Sequence, residues 1–257
     1  MSAPLISVLL PVMNAGQVFL PQTLHSLIRQ SFTTFEIIAV DCGSTDGSGL
    51  ILETAAAADP RVRLFHRPGT SPAAALEEAL QLSRGSLIAL MPVGGQARSD
   101  RLACLHAAVE AGPAPALSGS WIRLIDADNE PLWIRRDLGA DARLPLPASC
   151  LMHRALAETT SDWSGWLATY PQHLPLDREA AAAVTIIPEP LLDEPVTPSR
   201  PGLPGPAGDR ARVYAAWSRR AAAAGQPRGA RKYARRALLR APWRRTAWAV
   251  AFRALTT

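Results

Sequence analysis

Short apolar runs alternate with helical segments through residues 6–91, and this alternation constrains the fold more than any other feature of the chain. Runs of this length, bounded by proline, glycine or polar residues, are typical of buried strands in a parallel sheet. They are Ile6–Pro11, Phe35–Val40, Val62–His66 and Leu87–Met91. The segments between them predict helices over Pro21–Gln30, Gly49–Ala58 and Pro72–Ser83, with Pro21 in a first helical turn and Ser71 as an N-cap. The alternation predicts an α/β fold: a Rossmann-like, doubly wound, mostly parallel sheet with right-handed crossovers.

Further elements follow beyond residue 100, with less regular spacing. We predict mostly helix over 155–183, a helix at Asp100–Ala111, and strands at Trp121–Ile125, Leu132–Arg135, Ser149–Met152 and Val184–Ile187. A chain of 257 residues is long enough for one α/β domain and an appendage. We therefore assign residues 1–190 to one α/β domain.

Proline separates this domain from the tail of the chain. Seven of the 21 residues at 188–208 are proline, a density that excludes regular helix. We predict a stiff, extended linker over residues 191–208 and a helical tail over residues 209–257.

The tail resembles a tetratricopeptide helix hairpin, namely one repeat followed by the first helix of the next. Tyr214 and Trp248 are 34 residues apart, and small residues and a proline fall at the matching positions between them: Gly225, Ala230, Ala237 and Pro242. So short an array cannot bury a core alone. We therefore expect residues 209–257 to pack on the domain, on a protein partner or on a second copy of the chain.

Charge is distributed unevenly along the sequence. Residues 209–257 hold 13 Arg or Lys and one acid, a balance of +12, whereas the other residues hold 14 bases and 21 acids, a balance of −7. An acidic body and a basic tail attract each other or an acidic partner. Binding of nucleic acid or of an anionic membrane surface through the tail is therefore a further hypothesis. If the tail binds nucleic acid, its aromatic rings would stack on bases, namely those of Trp217, Tyr233, Trp243 and Trp248.

The cysteine spacing and the hydropathy of the chain indicate in which cellular compartment it works. Cys42, Cys104 and Cys150 are far apart and form no CxxC pair, which argues against a disulfide framework and against a zinc site. Nothing at the start is typical of a signal peptide, and no apolar run approaches the ~20 residues that span a bilayer. We expect a cytoplasmic protein, with peripheral membrane association as the alternative.

Ligands of doubly wound sheets bind at the carboxyl ends of the strands. The loops after Leu10, Val40 and Met91 should therefore line the site. Four stretches at these and neighbouring positions are similar, in order and in separation, to those of family 2 glycosyltransferases with the GT-A fold. They are residues 6–14, residues 35–47, residues 84–91 and residues 186–191.

The resemblance implies a domain that binds a nucleotide sugar over its first two loops and transfers the sugar with inversion. Carried over residue by residue, it implies nucleotide-binding roles for the residues Pro11, Asn14, Asp41, Cys42, Ser44 and Asp46. The diphosphate leaving group calls for a divalent cation on carboxylates, and the acceptor hydroxyl calls for a carboxylate base.

Several positions depart from the family pattern. Cys42 replaces the second aspartate of the acidic loop, and a thiol is a weak hydrogen-bonding partner for a nucleobase. Leu76 and Glu77 stand where an arginine and an asparagine are expected, and the four residues 92–95, Pro-Val-Gly-Gly, replace the DxD metal motif. The nearest match to the Glu-Asp pair that supplies the base is Tyr170-Pro171. We therefore expect no cofactor, neither manganese nor magnesium.

Other residues could supply the missing groups. Asp126 and Asp128 form a DxD string and are candidate metal ligands, although aspartate is also a common turn residue. Candidate bases are Asp162, Asp177, His173 and His153, for each of which a solvated or helix-end position is the simpler interpretation. Trp163 and Trp166 could form a sugar platform or belong to the core. Asp41 and Asp46 could equally hold their loop through backbone hydrogen bonds.

Three hypotheses follow. The first is a pseudoglycosyltransferase that keeps its fold for binding, scaffolding or regulation. The second is an active, divergent, metal-independent inverting glycosyltransferase. The third is nucleic-acid or anionic-membrane binding through the basic tail.

Overall fold

The computed structural model describes residues 3–112, 117–125, 131–135, 147–159, 184–195, 210–223, 227–242 and 245–256. The chain divides into two compact units. One comprises Met1–Ile122 and Arg136–Leu192, and the other comprises Arg123–Arg135 and Asp193–Thr257.

Strands and helices alternate through residues 6–90, as the sequence predicts. The strands are β1 (Ile6–Val12), β2 (Phe35–Asp41), β3 (Val62–His66), β4 (Leu87–Leu90), β5 (Gln96–Ala97), β6 (Leu117–Ile125), β7 (Pro131–Arg135), β8 (Cys150–His153) and β9 (Val184–Pro195). The helices are α1 (Gly16–Ile28), α2 (Ser48–Ala58), α3 (Pro72–Leu82), α4 (Arg101–Ala111) and α5 (Arg154–Thr159). The tail helices are α6 (Arg210–Ala223), α7 (Pro227–Arg240) and α8 (Arg245–Thr256).

Among the described residues the strands form one sheet in the order β3-β2-β1-β4-β8-β6-β9-β5, with β7 paired to β6. β1 lies between β2 and β4 and is parallel to both, and β3 is parallel to β2. β8 is antiparallel to its neighbours β4 and β6. The predicted α/β fold with a mostly parallel sheet is thus confirmed. Because β1 to β4 run in one direction, the loops that follow them meet at one edge.

The core of the first unit explains why these segments fold as they do. All seven residues of β2 and nearly all of β1 are buried, as expected for central strands covered on both faces. α3 packs its buried face, including Leu76 and Ala79, against Ile38 and Val40 of β2. Its N-cap is Ser71, whose hydroxyl accepts a hydrogen bond from the Ala74 N–H at 3.2 Å, as predicted.

Two predicted boundaries are wrong. α1 begins at Gly16, five residues before the predicted start, so Pro21 lies inside the helix and not in its first turn. The buried residues Leu20, Leu24 and Leu27 hold this helix on the sheet despite the missing proline N–H. β9 continues to Pro195, so residues 191–195 of the predicted linker are strand. Proline permits this because its fixed φ is compatible with an extended chain.

The tail is helical, as predicted. Its three helices share a core composed largely of alanine, with contributions from Val250 and Leu238. Trp217 and Tyr233 are buried and meet edge to face, with ring centroids 5.3 Å apart. No helix in the described part of the chain is both long and apolar enough to cross a bilayer.

Candidate functional site

The loops after β1 and β2 are locked together by Asn14. Its backbone N–H donates to Ser44 Oγ at 3.0 Å, and its side-chain Oδ1 accepts from the Thr45 N–H at 2.9 Å. Asn14 has φ 48°, and it is the only non-glycine residue with positive φ in the described ranges. Asparagine tolerates this left-handed conformation better than most residues. Asn14 and Ser44, both predicted as nucleotide-binding residues, therefore use these groups to bind the neighbouring loop.

Asp46 makes a second connection between the same loops. Its Oδ2 accepts from the Gly16 N–H at 2.6 Å, while its Oδ1 accepts from the Ser48 N–H at 3.1 Å and the Ser48 hydroxyl at 2.6 Å. Ser48 Oγ in turn accepts from the Ala15 N–H. The pKa of Asp46 is lowered, mainly by the hydrogen bond from the Ser48 hydroxyl. Desolvation opposes this shift, and hydrogen bonds from backbone N–H groups add to it. The carboxylate thus joins the start of α1 to the start of α2.

Asp41 ends β2 and is buried. Its Oδ1 accepts from the Ser44 N–H at 3.0 Å, and its Oδ2 lies 3.3 Å from His66 Nδ1. The other ring nitrogen of His66 lies 3.5 Å from Glu53 Oε1. Sequence reasoning did not single out His66. The sequence does place His66 at the end of a predicted strand, next to the predicted strand that Asp41 follows. The register of the parallel pair β2–β3, which only the structure gives, makes Asp41 and His66 direct partners.

Cys42 follows Asp41 but lies in the core. Only 3% of its surface is exposed, and it belongs to one apolar cluster with Val40, Leu76 and Leu90. Burial is the main reason that the pKa of its thiol is raised, and the neighbouring Asp41 charge adds to the effect. Both Cys42 and Leu76, the positions where the family resemblance calls for polar nucleotide contacts, therefore hold side chains that pack against the core.

The loop after β4 is a tight turn without ligand groups. The Gly95 N–H donates to the Pro92 carbonyl at 3.0 Å, and Gly94 has φ 91°, which a side chain would strain. The Gly94 N–H donates to Thr23 Oγ1 of α1 at 2.8 Å. A Cβ on Gly95 would lie 3.0 Å from the Pro92 carbonyl oxygen. Residues 92–95 thus offer backbone and apolar side chains where a DxD motif would offer carboxylates.

Arg101 contacts the strand that precedes this turn, but it is fully buried. Arg101, the first residue of α4, donates from Nη2 to the carbonyls of Ala148 at 2.8 Å and Leu90 at 3.4 Å. Its Nε and Nη1 have no hydrogen-bond partner, and burial lowers its pKa to about 10. With no exposed surface, this guanidinium supports the end of β4 and does not face a ligand.

Most of the remaining sequence candidates fall outside the described residues. The structure does not describe Asp126, Asp128, Asp162, His173 or Asp177, and Trp163, Trp166 and the Tyr170-Pro171 pair also fall outside the described residues. His153 pairs with Leu87, the first residue of β4, and so lies at the opposite edge of the sheet from the loops. Pro11 pairs with Val40 inside the sheet. In the described ranges, no group of three or more His, Cys, Asp or Glu side chains is placed to hold a metal ion.

Comparison with known sequences gives a consistent result. The profile described as "Glycosyl transferase family 2" matches residues 7–136. An uncharacterized glycosyltransferase of Haemophilus influenzae is 37% identical over 103 residues, which cover 40% of this chain and 41% of that protein. The glycosyltransferase GlyG of Streptococcus pneumoniae is 29% identical over 125 residues, which cover 48% and 41%. The match to these relatives thus spans about two fifths of their length.

Solved structures agree on the fold. Residues 1–349 of S. aureus TarS in complex with UDP-GlcNAc align with a TM-score of 0.52 at 13% identity, covering 97% of this chain and 79% of that one. The mannosyltransferase PcManGT of Pyrobaculum calidifontis, solved with GDP-Man and Mn2+, aligns with a TM-score of 0.52 at 15% identity, covering 100% and 75%. The fold is therefore that of GT-A glycosyltransferases.

Proposed function

We propose, from the premise that this chain belongs to glycosyltransferase family 2, that it has kept the family's fold as a binding or scaffolding domain and has lost most of the capacity for sugar transfer. One observation carries the proposal. The positions expected to hold the nucleobase and the metal are occupied by the buried Cys42 and Leu76 and by the turn at residues 92–95.

The chemistry of transfer explains why these positions matter. A departing nucleoside diphosphate carries dense negative charge, and a metal ion supplies several kcal/mol of charge stabilisation. The turn at residues 92–95 provides no carboxylate for such an ion, and the nearby Arg101 is fully buried. Loss of the general base would lower the rate by a further ~10²–10⁴-fold.

The nucleobase subsite points the same way. An amide or carboxylate at the position of Cys42 would give a nucleobase a strong hydrogen-bonding partner, whereas a buried thiol gives a weak one. Cys42 and Leu76 share one apolar cluster, so binding a base there would require opening the core. Structural neighbours were solved with UDP-GlcNAc and GDP-Man. If this chain has kept any ligand of the family, we propose that it is a nucleotide sugar.

Calorimetry with UDP-GlcNAc and GDP-mannose, each with and without manganese, tests the proposal. We expect no metal-dependent binding and no donor hydrolysis above the uncatalysed background. An active family 2 glycosyltransferase, run under the same conditions, is the positive control. Micromolar binding that requires manganese, or transfer that Asp41→Asn abolishes, would overturn the proposal and favour an active, divergent enzyme.

A further inference from the structure

The outer face of α7 carries a cationic stripe. Arg228, Arg231, Arg235 and Leu239 are exposed and are spaced three, four and four residues apart, which places them on one face of a helix. We call these four residues the α7 stripe. The opposite face of α7 is buried in the tail core through Ala230, Tyr233, Ala234 and Ala237. The stripe therefore faces solvent.

Two large apolar side chains are exposed near the turn between α7 and α8, namely Leu239 at the end of the stripe and Trp248 in the first turn of α8. Leu239 is 72% exposed and Trp248 is 59% exposed. Trp248 Nε1 donates to the Pro242 carbonyl at 2.7 Å, which ties the indole to this turn. Arg240 and Arg245, on either side of the turn, are also exposed. Apolar and cationic groups thus alternate at one end of the tail.

No acid within the tail helices offsets this charge. Residues 210–256 contain 13 Arg or Lys and no Asp or Glu. Of the stripe residues, Arg231 donates from Nε to the Ala254 carbonyl at 3.2 Å and so caps α8, whereas Arg228 and Arg235 have no side-chain partner among the described residues. Free arginines in an all-cationic segment attract an anionic surface.

We infer that the α7 stripe, with Trp248, docks the tail onto an anionic lipid surface. Tryptophan and leucine at the depth of the headgroups, beside arginines that contact lipid phosphates, are typical of interfacial helices. The proposed contact is with the surface of the bilayer, through the exposed side chains of the α7 stripe and Trp248. The inference rests on the tail alone and does not depend on the proposed function of the first unit.

Nucleic acid is the less suitable partner. Single-stranded nucleic acid binds basic grooves in which exposed aromatic rings stack on bases. Two of the aromatic residues that the sequence offered for stacking, Trp217 and Tyr233, are buried in the tail core. Trp243 falls outside the described residues, so Trp248 is the one exposed aromatic residue in the described part of the tail. A single exposed indole beside arginines suits a membrane anchor better than a stacking platform.

Vesicle sedimentation with the full chain tests the inference. One set of vesicles is phosphatidylcholine alone, and in the other about one third of the lipid is phosphatidylglycerol. We expect the chain to partition at least ~10-fold more strongly onto the anionic vesicles and to be released as salt increases. Equal partition onto both sets of vesicles, or none onto either, would overturn the inference.

Two double variants separate charge from apolar contact. Arg228→Glu with Arg235→Glu should abolish the preference for anionic vesicles, and Leu239→Gln with Trp248→Gln should lower partition several-fold on both sets. The matched control is Arg29→Glu with Arg84→Glu, which makes the same charge change at two exposed arginines of the first unit. Circular dichroism verifies the helices of each variant. If the charge variant does not fold, the apolar variant tests the inference, which fails if that variant partitions onto anionic vesicles as strongly as the unmodified chain.

Two further outcomes would overturn the inference. The inference fails if the charge variant and the control lose vesicle binding equally. It also fails if vesicles do not bind while an oligonucleotide, or a second copy of the chain seen by sedimentation velocity, binds and is lost only in the charge variant.

Discussion

The two halves of the candidate site have changed in different ways. In the half formed by the loops after β1 and β2, polar side chains remain at the positions of the family pattern and bond to one another, as Asn14 does to Thr45 and Asp46 to Gly16. In the half formed by Cys42, α3 and the loop after β4, apolar or backbone groups replace the polar ones.

The difference indicates what each half is needed for. Polar residues persist where the fold itself uses them, because their loss would leave backbone N–H groups without partners. Where a ligand alone would use a polar residue, Cys42, Leu76 and residues 92–95 offer none, and the exposed Glu77 is the exception. Four experiments probe this division, in decreasing order of expected effect.

Cys42→Asp restores the family residue and should have the largest effect. The carboxylate would enter the apolar cluster that contains Leu76 without a partner, so we expect a loss of about 3 kcal/mol or more in the free energy of unfolding at pH 7. The loss should be smaller near pH 4, where the buried acid is protonated. Urea unfolding measures it, with Cys42→Ala as the small-effect control. An unchanged stability together with new nucleotide binding would show that this position faces a ligand.

Thr23→Val removes the acceptor that holds the turn after β4. The buried Gly94 N–H would lose its partner, which should lower the free energy of unfolding by about 1–3 kcal/mol. Thr54→Val is the matched control, because Thr54 also bonds the carbonyl four residues back in its helix but is exposed. If both variants lose the same stability, the Thr23–Gly94 contact does not support the turn.

Asn14→Ala tests the lock between the first two loops. Alanine loses the bond to the Thr45 N–H and tolerates φ 48° poorly, so we expect a loss of about 1 kcal/mol. Asn14→Gly also removes the side chain, but glycine adopts φ 48° without strain. Its thermal midpoint should therefore lie between those of Asn14→Ala and the unmodified chain. A midpoint for Asn14→Ala equal to that of the unmodified chain would contradict the lock.

Asp46→Asn should have the smallest effect, and it should depend on pH. The pKa of Asp46 is lowered in the folded chain, so its contribution is complete above the ordinary aspartate value and is lost as pH falls through the lowered value. Thermal midpoints measured between about pH 5 and pH 2 should therefore fall less for Asp46→Asn than for the unmodified chain. Glu77→Gln, at an exposed position of α3, should leave the thermal midpoint profile unchanged.

Local pattern was sufficient to predict most of the sheet and some of the site. The parallel strands and the Ser71 cap follow from residues close in sequence. The inward position of Cys42 was also available, because it continues the alternation of Ile38 and Val40 toward α3. By contrast, the Thr23–Gly94 bond joins residues 71 positions apart, and the buried guanidinium of Arg101 bonds the carbonyl of Ala148. Such contacts depend on the tertiary fold, which no local pattern specifies.

β9 has a consequence for how copies of this chain behave at high concentration. The strand has twelve residues, but its neighbour on one side, β5, has only two. A long strand edge of this kind invites the strand of another molecule to pair with it. Pro188 and Pro190, two residues apart, lack N–H groups on one edge of this strand, and Pro195 lacks one on the other edge. Each edge of β9 therefore has at least one position that cannot donate to the strand of another molecule, which opposes edge-to-edge aggregation.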